Sequence, residues 1–140
     1  MENIGWSKIK TGVGYATHIP EAIKHLGSFL EEERHKAYWN IDNYVVVQSD
    51  LYEAAYYVIE PILELMEKEY TVNRLYPLRI LTEIAIGGSS ESIKTEKYGI
   101  TTVGEACMRC LRDNRERIEK ITVHDENEIE EKETLIEEIE

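Results

Sequence analysis

Apolar residues return every three or four positions through most of this chain, the spacing of one face of an α-helix. Ile19, Ile23, Leu26 and Leu30 predict a first helix. It should begin near Ile19-Pro20, because proline suits the first helical position, and Gly27 weakens it. A second helix is predicted over about Glu31 to Val47, with Ala37, Tyr38, Ile41, Tyr44 and Val45 as its stripe. Val45-Val46-Val47 alone would suit a strand, but the stripe leading into it has the helical period. Gln48-Ser49-Asp50 makes a short turn, and Ser49 or Asp50 is placed to cap the next helix. The third segment, Leu51 to about Tyr70, keeps Leu51, Ala54, Ala55, Val58, Ile62, Leu65 and Met66 on one face. Pro61 falls inside it and should kink or split it.

Thr71 to Arg74 reads as a connector, and a fourth helix is expected over about Leu75 to Ile86, stopped by Gly87-Gly88. From Gly87 to Thr102 periodicity fades, which predicts a long loop of the functional or mobile kind. Thr102-Val103-Gly104-Glu105 has the form of a capping box. It opens a fifth helix to about Ile121, with Val103, Cys107, Cys110, Leu111, Ile118 and Ile121 inward. The first 17 residues are irregular, with Trp6 and Ile9 as anchors and a turn at Gly12, Gly14 and Tyr15. No strand precedes Gly12-x-Gly14 and a third glycine is missing, so it is a tight turn and not a dinucleotide loop. The fold class expected is all-α, a stack of about five to six helices in one domain over residues 1–124.

Charge changes the picture at the C-terminus. The chain carries 16 basic and 28 acidic residues, a net charge of −12. Residues 125–140 hold nine acids and one lysine, so the rest of the chain is only mildly acidic. Composition alone would make that segment a disordered tail. Ile129, Leu135, Ile136 and Ile139 give it a narrow apolar stripe, which predicts a helix docked on the body or on a neighbour. A net negative body argues against nucleic acid, whose phosphates call for Lys and Arg, and favours basic protein partners. The opening residues show no basic region followed by an apolar one, and no apolar run approaches a membrane span of about 20 residues. With only two cysteines, a cytoplasmic protein is expected, without secretion signal or membrane partner.

Chemistry is sparse. Cys107-x-x-Cys110 lies on a predicted helix and lacks the strand that precedes a redox motif. His18, His25, His35 and His124 are too scattered to complete a zinc site. No metal, cofactor or catalytic residue is therefore expected, and no phosphate loop or nucleophile elbow occurs. One constellation stands out. Glu53, Tyr56, Tyr57, Glu60, Glu64 and Glu67 fall opposite the apolar stripe of the third segment, and Trp39, Asp42 and Asn43 on the polar side of the second. With nine tyrosines and two tryptophans in 140 residues, this acidic and aromatic set suits a binding face. Of these residues, Trp39, Asp42, Asn43, Glu53, Tyr56, Tyr57, Glu60 and Glu64 are the candidate partner-binding residues.

Several of these segments, taken in order, resemble a group of short bacterial HEAT-like proteins. Tyr15-Ala16-Thr17-His18-Ile19-Pro20-Glu21-Ala22 resembles the segment that opens them, and Gln48-Ser49-Asp50-Leu51-Tyr52-Glu53-Ala54-Ala55 a later motif. A proline-bearing helix comes next at Val58 to Leu65, then Glu83-Ile84-Ala85-Ile86-Gly87, then Cys107-Met108-Arg109-Cys110-Leu111-Arg112. The likeness covers about residues 6–120, and Ser49 and Asp50 depart from the glycine and small residue usual there. The resemblance implies a short HEAT-like α–α superhelix acting as a scaffold. Some members of the group sit beside polymorphic toxin genes as immunity proteins. It thus implies a non-catalytic immunity protein that neutralises a cognate toxin by direct binding. The acidic and aromatic face suits a basic toxin domain, such as a nuclease. A general adaptor for a peptide or subunit is the alternative, and an enzyme on a helical scaffold would need a pocket with convergent polar groups.

Overall fold

The computed structural model describes residues 4–69, 71 and 73–140. Tyr70, the expected end of the third helix, and Val72 of the connector lie outside these, as do Met1, Glu2 and Asn3. Helix α1 (Ile19–Leu26) has Pro20 in its first turn and buries Ile19, Ala22, Ile23 and Leu26 against α2 (Glu31–Val45). Three glutamates, Glu31 to Glu33, occupy the first turn of α2, where they oppose the positive end of the helix dipole.

Helix α3 (Glu53–Glu67) meets α1, α2, the next helix α4 (Leu75–Ile86) and α5 (Val103–Asp113). It buries Ala54, Ala55, Val58, Ile59, Ile62, Leu63, Leu65 and Met66, and its Pro61 as well. The expected split does not occur: α3 runs unbroken through Pro61. Proline removes one N–H from the helix, but packing of its apolar faces supplies most of a helix's stability in a folded protein. Helix α4 is apolar around most of its circumference, with Pro77, Leu78, Ile80, Leu81, Ile84 and Ala85 buried. Such a helix must be covered on all sides. Part of that cover is α7 (Glu126–Ile139), whose Leu135 and Ile139 are buried and which packs more extensively on α4 than on any other helix.

Two polar side chains join these helices at their ends. The Asp125 carboxylate accepts the Glu128 N–H at 2.8 Å, and Glu128 returns a bond from the Asp125 N–H at 3.3 Å, completing a capping box on α7. The other oxygen of Glu128 accepts the Arg74 N–H at 3.0 Å, at the start of α4. Arg74 in turn donates to the Met66 carbonyl at 2.7 Å and the Lys68 carbonyl at 2.9 Å, closing the end of α3. The fifth helix expected to reach Ile121 is broken: α5 stops at Asp113 and a short α6 (Arg115–Glu119) succeeds it. Asn114 lies between them and turns its side chain back onto the Cys110 carbonyl at 2.8 Å. The Thr102 hydroxyl caps α5 by accepting the Glu105 N–H at 3.1 Å, the one half of the expected capping box that forms.

The all-α expectation needs correction. The fold is mainly helical, but the described residues also form three two-stranded antiparallel hairpins: β1 (Lys10–Thr11) with β2 (Gly14–Tyr15), β3 (Val46–Val47) with β4 (Asp50–Leu51), and β5 (Ser92–Thr95) with β6 (Gly99–Thr102). Helix α2 ends at Val45, and the two valines after it pair with Leu51 and Asp50. The β5–β6 hairpin lies within the segment expected to be a loop. It pairs Ser92 with Thr102 and Thr95 with Gly99, which takes the positive φ of 68° that the turn demands. Only Ile93 and Thr95 point inward from β5, too short an alternation to stand out in the sequence.

Candidate binding surface

The structure divides the candidate residues between two separate clusters, and Asn43 and Glu64 belong to neither. Among the described residues, no hydrogen bond, ion pair or ring contact joins the two.

The first cluster lies where α2 meets α4. Trp39 is 45% exposed, and its indole N–H donates to His35 Nε2, one turn earlier, at 3.1 Å. Its ring stands edge-on to Tyr38, with centroids 4.9 Å apart, and Tyr38 meets Tyr76 of α4 at 5.3 Å. The Tyr38 hydroxyl donates to Glu83 at 3.0 Å. Asp42 was expected on the polar side of α2, but its residue is only 8% exposed and Oδ1 has no hydrogen-bond partner. Burial raises the Asp42 carboxyl to about 8, helped by a hydrogen bond to Glu83 and by the charge of that group. Burial, Asp42 and Glu83 together hold the Tyr38 phenol far above its ordinary range. Asn43 is exposed on the same helix.

The second cluster gathers α3 against α5, α6 and the β5–β6 hairpin. Tyr56 stands edge-on to Tyr57 at 5.1 Å and to Tyr98 at 6.2 Å, and Tyr98 donates to Asp113 at 2.6 Å. Burial raises both Tyr56 and Tyr57. Glu60 and Glu67 clamp Arg117 at 2.6 Å each, which lowers the Glu67 carboxyl through its hydrogen bond to the guanidinium. Glu53 accepts the Lys10 N–H at 2.8 Å. Glu53 and Glu60 therefore already serve the fold. Glu64 is exposed beside α1, on the rim of a small cavity with Ile23 and Lys24.

Tyr76, Glu83 and His35 complete the α2–α4 cluster, and sequence reasoning passed over all three. The signals were present: His35 and Trp39 are four apart on one helix, as are Tyr38 and Asp42. What the sequence lacked was any sign that α4 would bring Glu83 beside Asp42. Burial lifts the Cys110 thiol to about 11 and the Cys107 thiol higher still, so neither is a ready nucleophile. Among the described residues, no group of three or more His, Cys, Asp or Glu side chains is placed to hold a metal ion, and no helix is long and apolar enough to cross a membrane. Comparison with protein-family models, curated proteins and solved structures finds no match.

Proposed function

We propose that this chain is a non-catalytic binding protein of the bacterial immunity type, which neutralises a basic toxin domain in the cytoplasm by direct docking. The observation that carries the reading is Trp39. A large indole lies nearly half exposed and is braced by His35 and by Tyr38, whose hydroxyl donates to Glu83 of α4. A pre-positioned, half-exposed aromatic suits a binding hot spot. The net charge of −12 steers such a partner in.

The test uses the intact chain as bait in extracts of its own host, followed by reconstitution with the purified captured protein. The expected result is a stoichiometric complex with a basic domain whose activity is lost on binding. Trp39→Ala should weaken that complex by about tenfold or more. Capture of no basic partner, or an unchanged affinity for the variant, would overturn the reading. The raised Asp42 carboxyl beside Glu83 and Tyr38 favours a second reading, acid–base chemistry on a helical scaffold. Turnover of a substrate by the chain alone, abolished by Asp42→Asn, would select it instead.

A further inference from the structure

Between the β3–β4 hairpin and the facing sides of α2 and α4 lies a cavity of about 210 Å³. Its wall is made by Asp42, Val46, Gln48, Ser49, Glu83 and Ile86. Asp42 and Glu83 both line that wall, and the Glu83 carboxyl acts on that of Asp42. Neither forms an ion pair with any cation among the described residues. Arg79, on the same helix as Glu83, is paired with Glu131 of α7. Asp42 Oδ1 is buried and accepts nothing. A buried carboxyl group beside a second carboxyl, with no counter-charge, is costly, and proteins resolve that cost with a proton or with a cation.

We infer that this cavity is a receptor for one arginine side chain of the docking partner, with the guanidinium received by Asp42 and Glu83. The inference deepens the function proposed above and rests on it for the source of the arginine. Paired carboxyl oxygens match the two-pronged donor geometry of a guanidinium, which an ammonium lacks. Val46 and the 58% exposed Ile86 offer apolar walls for the aliphatic stem. A metal ion would need more ligands than the pair supplies, and among the described residues no third carboxylate, cysteine or histidine is placed to provide one.

Entry of the guanidinium favours the ionised Asp42 carboxyl over the protonated form that burial favours, and the proton goes to solvent. The titratable group that meets the pair is Tyr38 from α2, which donates to Glu83, and Arg79 from α4 acts on Tyr38. Gln48 and Ser49, which the hairpin brings to the cavity, carry no charge.

The experiment titrates the intact chain, with no partner present, with Nα-acetyl-arginine methylamide. Backbone amide NMR shifts are followed at pH 6, 7 and 9, and the neutral citrulline analogue serves as control. The expected result is saturable shifts centred on Val46, Gln48, Ser49 and Ile86, with affinity rising with pH. The citrulline analogue should bind at least about tenfold more weakly, and Asp42→Asn and Glu83→Gln should each lower arginine affinity by a similar factor. Glu83→Gln decides the matter if Asp42→Asn disturbs folding. Equal binding of the citrulline analogue, shifts centred elsewhere, or parental affinity in the folded variants would overturn the inference. The two proposals fail separately. Arginine binding without any basic partner in the host would sink only the immunity role. A toxin complex indifferent to both carboxyl variants would sink only the receptor.

Discussion

Asp42 and Glu128 are both helix carboxyl groups removed from water, and their surroundings treat them in opposite ways. Glu128 accepts two backbone N–H groups, from Arg74 and Asp125, and so closes the starts of two helices at once. Asp42 receives no N–H and faces another carboxyl. Its folded-state value, raised to about 8 from an ordinary 3.8, means that the folded chain holds a proton which the unfolded chain releases. The resulting stabilisation is complete below pH 4 and is lost as pH rises through 8. Asp42→Asn cannot ionise and should not show this decline. Urea unfolding of parent and variant at pH 5, 7 and 9 should show the variant gaining about 1–3 kcal/mol on the parent across that range. Parallel profiles would mean that Asp42 is already ionised at pH 5.

Elements whose ends carry local signals were legible in advance. The bounds of α4 follow from its apolar run and Gly87, and the start of α5 from the Thr102 cap. The end of α2 was not, because Val45 completes a helical stripe while Val46 and Val47 suit a strand equally well. The decision falls to the turn, where Gln48 and Ser49 both adopt positive φ, 51° and 70°. The hairpin is further held by Gly88, whose carbonyl accepts the Leu51 N–H at 3.0 Å and whose own N–H donates to the Ser49 carbonyl at 3.0 Å. A left-handed conformation costs a residue with a side chain about 1–2 kcal/mol, and glycine is spared it at some expense in unfolded-state entropy. Ser49→Gly should therefore stabilise the protein by about 0.5–1 kcal/mol, read as a higher thermal midpoint. A lower midpoint would show that the serine side chain holds the turn.

For the whole molecule, the largest departure from a composition-based reading is the C-terminal segment. By charge alone, residues 125–140 would be a solvated tail that could be removed without cost. In the fold, Leu135 and Ile139 are buried, and Lys132 donates to the carbonyls of Glu119 and Ile121 at the end of α6. Arg112 donates to the Ile139 carbonyl at 3.0 Å. A chain ending at residue 124 should expose the apolar side of α4 and leave the Arg74 N–H without Glu128. Its circular dichroism melt should broaden or fall by about 10 °C or more, with self-association on gel filtration. An unchanged melt would mean that α7 adds nothing to the core.

The sequence by itself determined most of the helical segments, the faces they bury, the Thr102 cap and the Gly87 stop, because these depend on neighbours three or four positions away. Helix α3, by contrast, starts after Tyr52 without the side-chain cap expected from Ser49 or Asp50. Only the tertiary structure decided which surfaces meet. Tyr38 reaches Glu83 across 45 positions and Arg74 reaches Glu128 across 54. The continuity of α3 through Pro61, the seat of α7 on α4 and the burial of Asp42 all depend on such pairings. A local pattern can say that a helix has an apolar side. Desolvation, which sets the cost of a charge and the availability of a carboxyl, is a property of the packed whole.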